Sequence, residues 1–246
     1  MPEKELKVKL LSLTQNALSL IYAACRQCYS AEFAGDIFEK AKEDPEKMAK
    51  FITKIVDSGH ESPLEHVKFT FAVEGVSRAL THQLVRHRLA SYSQQSQRYV
   101  KEDNFSFITP PTIKKDPEAL KEYQDVLSRI QQGYNRLLQL LQDKGIVGEK
   151  ANQDARFVLP QGAETKIVMT MNVRELIHFF SLRCCSRAQW EIKALADTML
   201  AICKKEMPAV FLNAGAKCVA LKYCPEGEKF TCGRYPTKDN ILKNNG

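Results

Sequence analysis

The sequence carries a single tryptophan, Trp190, and five histidines in 246 residues. It has no glycine-rich phosphate loop, which argues against a separate dinucleotide-binding domain of the strand-loop-helix kind. Long apolar runs are also missing. The longest apolar-rich stretch, Ala17 to Cys25, falls far short of the roughly 20 residues a membrane-spanning helix needs. No positively charged start leads into an apolar segment with a cleavage site, so a cytoplasmic protein with no membrane partner is expected. Cysteine is plentiful, but paired spacing is not. Cys25 and Cys28 form a lone C-x-x-C, and Cys218, Cys224 and Cys232 do not supply a second such pair at a zinc-site spacing. With Cys184, Cys185 and Cys203 these make eight thiols, expected to be reduced, buried or idle. No metal is expected.

What is present describes a globular protein: 44% apolar and 26% charged residues, with a net charge of +7. That charge favours anionic partners such as nucleotides, folates or nucleic acid. The length suits one large domain, residues 1–246, with 213–246 as a C-terminal tail rich in Gly, Lys and Cys. Alternation predicts strands over 6–13, 67–73 and 165–173. Helical spacing predicts helices over 16–28, 45–57, from Asp116 and Pro117 to Gly145, from about Arg174 to Arg187, and over 188–207. A short helix is expected within Gly148 to Leu159. The class expected is α+β, an antiparallel or mixed sheet flanked by long helices.

The chemistry gathers at Arg86 to Arg98, which reads Arg-His-Arg-Leu-Ala-Ser-Tyr-Ser-Gln-Gln-Ser-Gln-Arg. Almost none of it can form a core. A lead-in helix over 77–85, capped by Ser77, would put Gln83, Arg86 and His87 on one face. If the chain then runs extended, Gln94, Ser96 and Arg98 share a face. Arginine forks suit phosphate or carboxylate oxygens, while serine hydroxyls and glutamine amides can read a heterocycle edge. Farther along, Arg174 and His178 form one i, i+4 pair, and Arg183 and Arg187 another. On a continuous helix these face opposite sides. One chain could bring both to a single pocket only if the helix breaks near Cys184; an oligomer could build each site from more than one chain.

The pattern Arg86-His87-Arg88, Ser91, Ser96 and Arg98 resembles the signature of the flavin-dependent thymidylate synthases, with every fixed position filled. A His60-Glu-Ser62-Pro segment ahead of a strand and an Ala-Arg156-x-x-Leu-Pro segment are similar to that family too. The resemblance runs from about His60 to Met207. It implies a homotetramer with active sites at subunit interfaces, and reductive methylation of dUMP to dTMP. FAD would be the cofactor, with NADPH as reductant and 5,10-methylenetetrahydrofolate as one-carbon donor. By position it implies dUMP contacts at Gln83, Leu84, Val85, Arg86, Gln94, Gln95, Ser96, Gln97, Arg98, Arg156 and Arg183. Of these, Arg183 would be catalytic, binding the pyrimidine and promoting loss of its N3 proton. FAD contacts are implied at His60, Ser62, Arg86, His87, Arg88, Gln94, Asn172, Arg174 and His178. Some members carry Asn at the place of His178 and His at that of Arg187. The flavin-free thymidylate synthases use a cysteine in a Pro-Cys-His context, and no such tripeptide occurs here. Two other readings stand beside this one. A nucleic-acid-binding module would use the basic motif with Tyr92 and Tyr99 interleaved, whereas the family reading expects no nucleic-acid partner. A flavoprotein reductase without methyl transfer would bind flavin and oxidise NADPH but ignore dUMP.

Overall fold

The computed structural model describes residues 1–244. The fold is α+β, with four strands: β1 (Lys7–Leu13), β2 (Lys68–Ser77), β3 (Ala90–Gln94) and β4 (Glu164–Asn172). They lie in the order β1-β2-β4-β3 in one antiparallel sheet. The helices before β2 are α1 (Ala17–Gln27), α2 (Ala34–Ala41) and α3 (Pro45–Asp57), and α4 (Arg78–Leu84) follows it. Between β3 and β4 come α5 (Pro111–Lys114), α6 (Pro117–Gln142) and α7 (Glu149–Ala155). After β4 come α8 (Val173–Arg183), α9 (Trp190–Glu206), α10 (Pro208–Phe211), α11 (Lys217–Leu221) and α12 (Lys238–Asn244). No helix among the described residues is long and apolar enough to cross a membrane.

The chain divides into two compact units, each assembled from separated stretches. Unit 1 comprises residues 1–9, 72–86 and 92–168. Its long helix α6 starts where the sequence says it should: the Asp116 carboxylate accepts from the backbone of Glu118 and Ala119, with Pro117 in the first turn. One side of α6 buries Leu127, Tyr134 and Leu138. Leu127 packs with Phe105, Phe107 and Ala163, and Tyr134 with Ala151 and Ala155. The Tyr134 hydroxyl is not wasted in this core, because it accepts the Glu102 N–H at 3.1 Å. Gly75 lies within β2 at φ 71°, and a Cβ there would sit 1.8 Å from the Glu5 carbonyl oxygen. Its N–H turns to the buried Glu164 carboxylate at 2.9 Å. Only glycine permits that crossing.

Unit 2 comprises residues 10–71, 87–91 and 169–246. The alternation read in the sequence is visible in its strand segments, where Phe69 and Phe71, then Met169 and Met171, point inward. Phe69 meets Phe211 edge-on, and Phe180 packs on the same Phe211 ring. Fully burying each such ring is worth about 2–3 kcal/mol. The Thr70 and Thr170 hydroxyls bond across β2 and β4 at 2.9 Å.

Three local expectations are corrected. Helix α4 stops at Leu84, and the turn that closes it carries Val85 and Arg86, so Gln83, Arg86 and His87 do not share a helical face. Strand β3 stops at Gln94. The Ser96 hydroxyl accepts the Arg98 N–H and the Ser96 carbonyl accepts the Val100 N–H, which turns the chain and removes Ser96 and Arg98 from a strand face. Helix α8 ends at Arg183, with Cys184 as its C-cap. The helical Arg183 and Arg187 pair therefore does not exist, and the phase argument for an oligomer loses its premise.

Candidate active site

In unit 2 the side chains converge on one helix face. Asn172 caps α8, its side-chain oxygen accepting the Glu175 N–H at 2.8 Å. Glu175 thus sits in the first helical turn, where the macrodipole favours its negative charge. From there Glu175, Phe179 and Arg183 follow at i, i+4 and i+8 on one stripe. His87 lies along that stripe. Its Nδ1 is 3.1 Å from Glu175 Oε1, its ring meets Phe179 edge-on at 4.9 Å, and its Nε2 is 3.1 Å from Arg183 Nε. A guanidinium can only donate, so Nε2 accepts from Arg183 and the ring proton sits on Nδ1, donated to Glu175. Burial and then the Arg183 and His178 charges hold His87 below its ordinary pKa, against the opposing pull of Glu175. His87 is therefore a neutral imidazole, 5% exposed, that fixes the Arg183 guanidinium by one edge and leaves its terminal nitrogens without a hydrogen-bond partner among the described residues.

The other unit 2 candidates lie toward solvent. Arg174 is exposed and held by Glu61 and Glu65, which flank and belong to the short 3-10 turn Ser62–His66. Those carboxylates raise its pKa. Ser62, Arg88 and His178 are exposed, and Arg88 has no ion-pair partner among the described residues. His60 stands edge-on to Tyr29 at 6.5 Å.

Unit 1 holds a polar cleft of about 290 Å³ whose walls include Arg78, His82, Gln97 and Arg156. Neither guanidinium forms a close ion pair among the described residues, although Glu102 exerts an opposing pull on Arg78. Burial first, then the charge of Arg156, lowers the pKa of Arg78. The Gln97 side-chain nitrogen is buried with no hydrogen-bond partner. Two guanidiniums and an unpaired amide donor line this cleft, and no carboxylate does, donor chemistry of the kind that suits an anion. Gln94 is anchored nearby in the chain: its amide nitrogen donates to Thr81 and Thr165 at 3.2 Å, and the Gln95 oxygen accepts from Lys166 at 3.3 Å. Arg98 is paired with Glu149, and its backbone oxygen accepts from Asn152 at 3.0 Å. Gln83 is half-buried and Arg86 exposed, and neither lines this cleft.

The family model described as thymidylate synthase complementing protein matches residues 9–209. The chain belongs to that family. It is 53% identical over 244 residues to the flavin-dependent thymidylate synthase of Nitratidesulfovibrio vulgaris, with 98% of this chain and 100% of the relative covered. The protein of that name from Clostridium tetani is 48% identical, with 93% of each chain covered. The one from Pyrococcus abyssi is 45% identical over 96% of this chain and 97% of the relative.

Within this family member, three residues that line the cleft or contact the motif lie outside the sequence pattern: Arg78, His82 and Glu175. Arg78 and His82 precede the motif on a helix that reads as ordinary amphipathic structure. Their spacing, i and i+4 with Ser77 as cap, was the available signal. Glu175 has a local signal of its own, because Asn172-x-x-Glu175 is a capping pattern that places a carboxylate at the start of α8.

Proposed function

We infer that this chain is an FAD-dependent thymidylate synthase, reductively methylating dUMP to dTMP with 5,10-methylenetetrahydrofolate as carbon donor and NADPH as reductant. The observation that carries the nucleotide assignment is the unit 1 cleft, where Arg78, Arg156 and the unpaired Gln97 amide offer donors and no carboxylate. A phosphate monoester fits that chemistry. Arg98 joins it by exchanging Glu149 for phosphate, and Arg86, Gln83, Gln94 and Ser96 fix the nucleotide's position.

Arg183 serves the pyrimidine. Held through Nε by His87, it presents its terminal N–H groups to the uracil and stabilises the negative charge that forms when N3 loses its proton. The flavin assignment rests on donor chemistry. Arg88 and Arg174, the Ser62 hydroxyl and the Asn172 amide nitrogen, whose partner oxygen is spent on the cap, suit a diphosphate and a polar ring edge. Arg174 would trade its two glutamates for the cofactor. Bound FAD supplies the hydride chemistry, and the protein supplies orientation and charge. Assembly as a homotetramer, with more than one chain furnishing each site, is part of this proposal. His87 acts in it through Arg183.

The test is an anaerobic visible spectrum of the protein with FAD and NADPH, before and after dUMP, followed by product analysis with methylenetetrahydrofolate. Bleaching of the flavin band that quickens with dUMP, and dTMP as product, are expected. Bleaching indifferent to dUMP with no dTMP would make the chain a flavin reductase. A protein that binds no flavin would overturn the assignment.

A further inference from the structure

One side chain in the unit 1 cleft is out of keeping with a site for phosphate alone. Phe157 lines that cleft beside Arg156 and is 84% exposed. Its ring stands against no other aromatic ring and no cation among the described residues. We propose that Phe157 is the platform on which the pyrimidine ring of the nucleotide stacks, in a cleft whose guanidiniums take the phosphate. This rests on the reading of the cleft as the dUMP site.

Three observations carry it. First, the exposure is not slackness. Residues Arg156–Val158 form one 3-10 turn, closed by the Leu159 N–H donating to the Arg156 carbonyl at 3.0 Å. Buried Ala155 precedes the turn, and Leu159 behind it packs against both the Phe105 and the Tyr134 groups of the core. The turn is pinned at both ends, so the ring is held out. A phenyl ring at 84% exposure forgoes nearly all the burial that favours such a side chain, and a flat partner restores it. Second, the walls of the cleft are of two kinds. Arg78, Arg156 and Gln97 offer donors, while Phe157, Leu159 and Pro160 are apolar. Inorganic phosphate has no use for the apolar wall, but a ligand with an anionic end and a flat ring meets both. Third, Arg156 and Phe157 are consecutive in the turn, so an anion-binding donor and a stacking face come from one rigid piece of backbone.

Stacking is tolerant of base identity, because every base has a π-face. Phe157 therefore supplies affinity for a nucleotide and leaves the choice of uracil to groups that read its edge. Arg183, which serves the pyrimidine edge in the proposed function, is such a group, and contacts to edge and face do not compete. In the sequence Phe157 is one apolar residue among several in Ala-Arg-Phe-Val-Leu-Pro. Only its exposure separates it from Leu159, which faces the core.

The experiment uses the full chain loaded with FAD and compares two ligands by calorimetric titration and competition: dUMP, and deoxyribose 5-phosphate, which has the phosphate and sugar but no base. Phe157→Ala should weaken dUMP binding by roughly 10-fold or more, the scale set by one base stacked on one aromatic side chain, and change the affinity for deoxyribose 5-phosphate by less than about 2-fold. Phe157→Trp should keep the dUMP affinity, and the emission it adds to that of Trp190 should be quenched by dUMP and not by the sugar phosphate. Equal weakening of both ligands in Phe157→Ala, or of neither, would overturn the stacking role, while dUMP binding by the wild type would leave the nucleotide reading standing. A changed assembly in light scattering, with the ratio of the two affinities unmoved, would make the ring a subunit contact and overturn the proposal as well. A wild-type protein that binds neither ligand would take the nucleotide out of the cleft, a failure of the underlying reading that removes this inference with it.

Discussion

His87 accepts the Nε–H of Arg183 at 3.1 Å while donating its own ring proton to Glu175 at the same distance. Arg183 is thereby aimed by a buried residue that need not touch substrate itself, and the two roles can be separated by mutation. Arg183→Ala should keep the fold and flavin binding and cut kcat on the order of 10²-fold, the usual loss for one preorganised charge-stabilising donor. Glu175→Gln should lower kcat by less, with the dUMP dissociation constant little changed. Steady-state kinetics beside a dUMP titration read both; unchanged turnover in Arg183→Ala would remove it from the mechanism.

The unit 1 cleft makes a different prediction. Arg78→Ala and Arg156→Ala should each weaken dUMP binding roughly 10- to 100-fold, the worth of a charge-assisted hydrogen bond, and leave flavin affinity as it was. Calorimetry with dUMP measures this directly. A normal dUMP affinity in both variants would show that the phosphate goes elsewhere.

The pH dependence of stability follows from His87. Its pKa in the folded protein lies below the ordinary 6.5 because of burial, so the unfolded chain takes up a proton first as pH falls. The stabilisation is complete above 6.5 and is lost as pH drops from there through the folded pKa. His87→Gln can keep both hydrogen bonds but cannot titrate. Thermal melts of the two proteins from pH 7.5 downward should show a shallower loss in the variant; parallel curves would acquit His87.

Gly75→Ala tests the sheet. The methyl would meet the Glu5 carbonyl in a backbone conformation that L residues avoid, at a cost of about 2–4 kcal/mol. The melting temperature should fall by several degrees. An unshifted melt would mean that residues 1–9 can move away from β2 freely.

Much of the frame was legible because period-two and 3.6-residue patterns report burial directly: Phe69, Phe71, Met169 and Met171 announce their faces, and Asp116-Pro117 announces α6. The motif residues were legible only as a pattern. Their backbone departs from the extended path that the composition allows, because the Ser96 hydroxyl accepts from the Arg98 N–H and turns the segment. The Glu175, His87 and Arg183 chain was out of reach for a related reason. It joins residues 88 and 96 positions apart, and nothing in local spacing says which buried histidine will lie along a given helix stripe.

Helix α8 begins at the Asn172 cap and ends on Arg183, so its 11 residues work as a ruler. Each residue advances the helix by about 1.5 Å and turns it by about 100°. A single insertion or deletion within α8 would swing Arg183 off the His87 side while sparing every residue of the motif. If Arg183 acts on the substrate as proposed, the length of this helix is part of the site, and gaps there should be as damaging as loss of the arginine.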